Sequence, residues 1–324
     1  MAKTRYAPDR GLTARMTLTM FLLGVVFVAF VAALVLVLRL GHYASGSGII
    51  FFAVLLGVVL GVGSFFYSDK IALSTARAVV VGPQDNYRNA ARLHGIVDRL
   101  VALANMPKPR VAIAPSPMLN AFATGRNTKT SVLVVTTGLL ESNLDDRELE
   151  AVLAHELSHV AHKDVAVMTI ASFIGIIAAL LIRFAFYGEL FGGGGRGRGG
   201  GNNNNGGAIP ILLIVMVVGI VVYAVSFLLI RLLSRYRELA ADRSGALLTG
   251  QPSALASALQ KVSGSMNAIP TKDLRAAEPL NAFYFIPAFK ASEKGFSLNG
   301  LFSTHPSLER RLRQLSEISE QLSK

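Results

Sequence analysis

Four long apolar segments alternate with polar sequence along the chain. They are residues 16–38, 48–67, 165–187 and 209–230. An α-helix needs about 20 apolar residues to cross the hydrocarbon core of a bilayer, and each segment comes close to that length or exceeds it. The pattern therefore predicts four transmembrane helices, of which the first two form a hairpin. The third segment could instead be a buried helix of the polar domain, because Arg183 interrupts it.

The two polar segments, residues 68–164 and 231–324, show the periodicities of a mixed α+β domain. Helical spacing of apolar residues predicts four helices, at about 84–105, 144–163, 252–263 and 306–322. The helix of the fourth apolar segment is expected to continue to about residue 248. Short apolar runs predict a strand at 110–114 and a β-hairpin with arms at 120–125 and 131–136. Asn143 is the expected N-cap of the second helix, and residues 268–303 are expected to form a loop.

The composition supports a membrane protein and narrows the possible chemistry. Hydrophobic residues make up 52% of the 324 residues and charged residues 16%, whereas a typical soluble domain has about 25% charged residues. The chain has no cysteine. This excludes a disulfide scaffold, a cysteine nucleophile and a thiolate metal site, so any bound metal must be held by histidine and carboxylate side chains.

The formal net charge of +12 is concentrated where it predicts the orientation in the membrane. Basic residues cluster in the tail 1–15 and just after the fourth apolar segment: Lys3, Arg5, Arg10, Arg15, Arg231, Arg235 and Arg237. Basic residues that flank transmembrane helices remain on the cytoplasmic side. With four spans, both termini and both polar segments are then cytoplasmic. The expected partner of this charge is the lipid bilayer with its anionic lipids.

The link between the third and fourth apolar segments, residues 188–208, consists mostly of glycine and asparagine. Such a sequence cannot bury apolar surface and is typical of a flexible linker. Its RGRGG stretch is similar to RNA-binding segments, but the predicted orientation places it outside the cytoplasm. We therefore expect no nucleic-acid partner.

The predicted helix 144–163 carries the sequence His155-Glu156-Leu157-Ser158-His159, an HExxH pattern. A spacing of four residues places both imidazoles on one face of a helix, where they can bind one tetrahedral zinc ion. Glu156 is then positioned to act as the general base toward a water at the metal. Chance histidines on a polar helix face are the alternative explanation.

A zinc site requires a third protein ligand, for which the sequence offers two candidates. His162 lies on roughly the same helix face, but its rise of about 10.5 Å from His155 makes a shared ion difficult on a straight helix. Glu238 and Asp242 lie four residues apart on the helix that follows the fourth apolar segment. We expect Glu238 to be the ligand and Asp242 to accept the N–H of a ligating histidine.

Taken together, these motifs resemble the HtpX-type membrane zinc metalloproteases, within the gluzincin family that includes the type-1 CAAX prenyl proteases. The motifs occur in the order of that family: Asn120–Gly125, His155–His159, Arg235–Asp242, and Thr304-His305-Pro306 followed by Arg311. The resemblance implies a mainly α membrane protein with a zincin-like α+β domain on the cytoplasmic side, made from both polar segments. It implies one Zn²⁺ per chain, held by His155, His159 and Glu238.

The resemblance also implies roles for other residues. The strand containing Asn120, Ala121, Phe122 and Ala123 would align an extended substrate at the rim of the cleft, although an ordinary hairpin with Phe122 in the core is the simpler interpretation. His305 and Arg311 would stabilise the negative charge of the transition state. In the structural alternative, His305 bonds locally and Arg311 pairs with Glu309 or Glu317.

The function that the resemblance implies is a zinc endopeptidase of the cell inner membrane that acts in stress response and membrane-protein quality control. Its partners would be misfolded or damaged membrane proteins as substrates. A CAAX-type protease that processes prenylated proteins is the alternative within the same class. A non-proteolytic membrane scaffold that retains the fold is the alternative from another class, although every expected catalytic position is present.

Overall fold

The computed structural model describes residues 10–40, 55–60, 62–63, 65–192, 211–266 and 305–324. Its helices are α1 (Arg10–Leu40), α2 (Ser68–Thr75), α3 (Ala90–Ala104), α4 (Thr137–Leu140), α5 (Asp146–Ala161), α6 (Asp164–Gly192), α7 (Ile211–Thr249), α8 (Pro252–Met266) and α9 (Leu308–Leu322). Its strands are β1 (Val79–Val80), β2 (Arg110–Ala114), β3 (Ala121–Thr124) and β4 (Val132–Thr136). The loop predicted at 268–303 and most of the linker predicted at 188–208 lie outside the described residues.

Three helices in the described part of the chain are long and apolar enough to cross a membrane. Their candidate spans are Arg10–Ala33, Asp164–Arg183 and Leu213–Thr249. They correspond to the first, third and fourth apolar segments of the sequence. The second predicted span, 48–67, lies partly outside the described residues, and residues 55–60 within it are helical.

The chain divides into two compact units. One consists of residues 17–63 and 168–230 and contains most of the apolar helices. The other consists of residues 64–167 and 231–324 with the first 16 residues. This second unit, called the polar unit below, contains the four-stranded sheet and the HExxH helix α5. Its two long sequence segments are separated by a pair of apolar segments and fold together.

The sheet of the polar unit has the strand order β1-β2-β4-β3. β2 and β4 are parallel, with Arg110 opposite Val132, and β3 runs antiparallel to β4 with Ala121 opposite Val135. The predicted β-hairpin is therefore confirmed. Its turn depends on Gly125, which has φ +127° and whose added Cβ would lie 2.6 Å from the Cα of Ser131. Only glycine adopts this backbone conformation without strain.

β4 is buried along its whole length because the sheet is covered on both faces. Leu133 and Val135 belong to the larger core, which they form with α3, α5, α8 and α9. Val132 and Val134 face a smaller core that includes Phe122 and the α2 residue Ala72. This two-sided burial explains why the strand appears in the sequence as a continuous apolar run. Phe122 is thus a core residue, as the simpler interpretation of the hairpin expected.

Helix α5 is fixed at its N-terminus by a capping box. The side chain of Asp145 accepts a hydrogen bond from the backbone N–H of Glu148, and Glu148 accepts one from the backbone N–H of Asp145. The prediction of Asn143 as the N-cap is wrong. Asp145 takes this position because it lies three residues before a glutamate, which completes the reciprocal pair. Glu148 also bonds Ser257 and Lys261 and so joins α5 to α8.

Replacing Asp145 by alanine is therefore expected to lower the free energy of unfolding by about 1 kcal/mol, the typical loss for an N-cap. Asn143→Ala is the matched control and should leave stability unchanged, because Asn143 is exposed and does not cap the helix. Thermal unfolding of the detergent-solubilised variants checks both. An equal loss of stability in the two variants would contradict the assignment of the cap.

Candidate metal centre

Helix α5 places the two histidines of the HExxH motif side by side, as the spacing predicts. The Nε2 atoms of His155 and His159 lie 3.2 Å apart, with the two rings nearly perpendicular. His155 is 1% exposed. Its position is defined by the apolar residues of the same helix, such as Leu153 and Leu157, which anchor α5 in the core.

Helix α7 brings a carboxylate to the same point. Glu238 Oε2 lies 3.6 Å from His155 Nε2, and Glu238 Oε1 lies 3.5 Å from His159 Nε2. Tetrahedral zinc with bonds of about 2.0–2.2 Å separates its ligand atoms by roughly 3.3–3.6 Å. The spacing and the chemistry of this buried donor set therefore fit a zinc ion. His162 is the C-cap of α5 and is not part of this cluster.

His155 is oriented by a carboxylate that is itself held by an arginine. Its Nδ1 lies 2.9 Å from Asp242 Oδ1, and Asp242 accepts two hydrogen bonds from Arg311, at 2.7 Å from Nε and 2.6 Å from Nη2. Asp242 and Arg311 are almost completely buried. The carboxylate of Asp242 thus lies where it can accept the N–H of His155, the contact that the sequence predicts for it. The alternative in which Arg311 pairs with Glu309 or Glu317 is not the arrangement in the structure, because Arg311 is buried against Asp242 and Glu309 pairs with Arg313.

His159 is oriented in the same manner by a pair that sequence reasoning missed. Its Nδ1 lies 2.5 Å from Asp164 Oδ2, and Arg237 Nε lies 3.0 Å from the same oxygen. Asp164 is the first residue of helix α6, immediately before the third apolar segment, and is 1% exposed. A carboxylate at the start of an apolar helix needs a cationic or hydrogen-bonding partner. The position of Asp164 directly before an apolar segment is therefore a signal in the sequence that it has such a partner. Each histidine thus contacts an aspartate, and each aspartate contacts an arginine.

His305, which follows the undescribed segment 267–304, also reaches this cluster. Its Nδ1 lies 3.2 Å from Glu238 Oε2, and the residue is 7% exposed. The final helix begins at Leu308, with Ser307 as its N-cap. Pro306 therefore precedes the helix, and His305 projects from just before its N-terminus toward the Glu238 carboxylate.

The chain is similar to known proteins over most of its length. The sequence profile of Peptidase family M48 matches residues 87–319, which include most of both long segments of the polar unit. The chain belongs to peptidase family M48. The Protease HtpX homolog 1 of Streptomyces coelicolor is 53% identical over 99% of this chain and 97% of its own length. The Protease HtpX homolog of Moorella thermoacetica is 49% identical, over 97% of this chain and 96% of its own length.

A solved structure, that of S. mikatae Ste24p, aligns with 95% of this chain and 66% of its own, at 19% identity and a TM-score of 0.48. Membership of family M48 and the HtpX relatives confirm the resemblance drawn from the motifs. The present chain is therefore a metalloprotease. Its long apolar helices are those of a membrane protein.

The pKa values of the buried cluster are shifted by its burial and by the charges within it. Burial raises the pKa of Glu156, although the neighbouring His155 and His159 oppose the shift. A pKa above the usual range of a carboxyl group is the property expected of a general base that works near neutral pH. Burial acts to lower the pKa of His155, but its contacts with Asp242 and Glu238 outweigh this and raise it to about 9.

Strand β3, which the resemblance expects to align substrates, lies next to helix α5 with its HExxH motif. β3 is an outer strand of the sheet in the described residues and packs beside α5. Asn120, Ala121 and Phe122 are buried, whereas Ala123 is partly exposed. The structure thus brings the Asn120–Ala123 segment and the HExxH motif into one part of the polar unit.

Proposed function

We propose that this M48 metalloprotease is a zinc-dependent endopeptidase that cleaves peptide bonds on the cytoplasmic side of the membrane. The observation that carries the proposal is the buried cluster of His155, His159 and Glu238, with Glu156 on the same helix turn as the two histidines. Three protein ligands around a zinc ion leave a fourth position for water or substrate, as catalytic zinc sites require.

The proposed chemistry divides between the metal and the residues of this chain. Zinc bound by the three ligands would polarise the scissile carbonyl and lower the pKa of a water molecule. Glu156 accepts the proton of the attacking water and donates it to the leaving amine.

His305 and Arg311 receive different roles from their contacts. His305 lies at the edge of the donor cluster, near Glu238, where an N–H donor can stabilise the oxyanion of the transition state. Arg311 directs two donors at Asp242 and so acts through the orientation of His155. We therefore assign Arg311 as a positioning residue, and His305 as the transition-state donor.

We propose the same positioning role for Asp164 and Arg237 toward His159. Asp164→Asn keeps the size of the side chain but removes the charge that holds Arg237 and orients His159. Zinc affinity, measured by competition with a chelator, is expected to fall by about 10–100-fold.

Asp98→Asn is the matched control for Asp164→Asn, because Asp98 forms an exposed salt bridge with Lys108 on the surface of the polar unit. Exposed ion pairs contribute little, and this variant should bind zinc as the parent does. An unchanged zinc affinity in Asp164→Asn would contradict the positioning role.

The position of β3 supports a role in substrate binding. An extended peptide can pair with an outer strand through its main chain, which favours affinity without strong sequence choice. We propose that Asn120, Ala121, Phe122 and Ala123 align the substrate in this way. Phe122 contributes by fixing the strand to the core.

The proposed topology has four spans, with the second at 48–67 and both termini in the cytoplasm. The basic residues of the N-terminal tail and the cluster after residue 230 support it. A reporter fused after Lys324 is expected to be cytoplasmic, and one inserted between residues 193 and 207 external, in a protease-protection or labelling assay. A cytoplasmic signal from the insertion would show that the third and fourth segments do not both span the membrane.

We further propose that the substrates are misfolded or damaged membrane proteins, within a bilayer whose anionic lipids contact the basic clusters. Capture with the Glu156→Gln variant in cells tests this proposal, with the parent protein as the control. Enrichment of membrane proteins, increased by unfolding stress, is expected. Enrichment of prenylated proteins instead would support the alternative processing function. An absence of zinc and of casein cleavage in the purified protein would contradict the proposed enzyme altogether.

A further inference from the structure

Gly245 lies where helix α7 makes its closest approach to the metal-binding helix α5. It follows Glu238 by seven residues and Asp242 by three, so all three share one face of α7. A Cβ added to Gly245 would lie 2.9 Å from the backbone N of His155 and 3.1 Å from its Cα. These are backbone atoms of a buried helix, so no flexible side chain can move aside to make room.

We infer that Gly245 is a positioning residue, which sets the distance between α7 and α5 at which Glu238 and Asp242 meet the histidines. The inference rests on the metal site proposed above and adds a residue that touches neither the metal nor the substrate. Glycine is otherwise disfavoured inside a helix. Here its missing side chain allows two backbones to pack in contact at the ligand itself.

The required displacement can be read from the contact. A Cβ needs at least 3.4 Å for an ordinary van der Waals contact, whereas the present helix spacing allows 2.9 Å. An alanine at this position must therefore move α7 away from His155 by about half an ångström at the contact. The 2.9 Å contact between His155 and Asp242 would lengthen with it. Metal ligands lose affinity when the groups that orient them are displaced.

Other glycines provide matched controls for this steric effect. Gly95 in α3 and Gly264 in α8 are also helical, and an added Cβ at either position would meet nothing within 4 Å. Leu100→Ala provides the control for general destabilisation, because Leu100 is fully buried in the core formed by α3. All variants are prepared in the Glu156→Gln background, so that self-cleavage does not affect the measurement.

The test is the zinc dissociation constant, obtained by chelator competition, together with the absorption spectrum of the cobalt-substituted protein. Gly245→Ala is expected to bind zinc about 10–100-fold more weakly and to show an altered cobalt spectrum. Gly95→Ala, Gly264→Ala and Leu100→Ala should keep the parent affinity and spectrum. Parent affinity in Gly245→Ala, or an equal loss in Leu100→Ala, would overturn the inference.

A double-mutant cycle separates helix spacing from a general loss of structure. Asp242→Glu lengthens the positioning carboxylate by one methylene and should weaken zinc binding in the parent. In the Gly245→Ala protein the distance between α7 and His155 is larger, and a glutamate at position 242 can span it. Asp242→Glu should therefore weaken zinc binding less in Gly245→Ala than in the parent, or restore it. Additive losses would overturn the inference, as would a Gly245→Ala/Asp242→Glu protein that does not fold. If the protein with Glu156 intact also binds no zinc, the proposed metal site fails instead.

Discussion

Replacing Glu156 by glutamine is expected to lower peptide hydrolysis by about 10²–10⁴-fold, while zinc binding and the fold are retained. Glutamine has nearly the same size but cannot accept the proton of the attacking water, and loss of a general base typically has an effect of this magnitude. His155, His159 and Glu238 are unchanged, so the metal donors remain in place. Casein cleavage, zinc content and thermal unfolding of the purified variant measure the three properties.

Glu320→Gln on the exposed face of α9 is the control for Glu156→Gln, because it makes the same chemical change far from the donor cluster in the sequence and at the surface. It should keep the activity of the parent protein. If Glu156→Gln retained a tenth of the parent activity, another group would have to be the base. If it lost zinc, Glu156 would have a role in the metal site itself.

Replacing Glu238 by alanine is expected to remove zinc far more readily than replacing His162 by alanine. Glu238 supplies two oxygens within 3.6 Å of the imidazole Nε2 atoms, whereas His162 is the C-cap of α5 outside the cluster. Loss of a ligand should weaken zinc binding by more than the 10–100-fold typical of groups that only orient ligands. Zinc dissociation constants for the two variants test this difference.

His162→Ala is itself the matched control, since it removes an imidazole at the C-terminal end of α5, close in sequence to His159 but outside the donor cluster. Its activity should remain close to that of the parent. Equal loss of zinc in both variants, or loss in His162→Ala alone, would reassign the third ligand. Activity measurements on Glu238→Ala with added zinc would then show whether the metal can be restored by mass action.

The helices and the hairpin could be predicted because they depend on local periodicity. The apolar spacing of α5 and the Gly125 turn both express short-range constraints that are visible along the chain. Asn143 and Asp145 are both good capping residues, so the residue type alone does not identify the N-cap of α5. The reciprocal bond with Glu148 favours Asp145, and the sequence alone also contained that spacing.

The amino-acid sequence by itself determined that His155 and His159 share a helix face, that apolar segments suit a membrane, and that only histidine and carboxylate ligands are available. Each follows from helix geometry or composition. Only the tertiary structure decided that Arg311 pairs with Asp242, that Asp164 and Arg237 hold His159, and that Gly245 contacts the backbone of His155. These contacts join different helices, and Arg311 is 69 residues from Asp242. Their geometry depends on how the helices pack, which no local sequence period encodes.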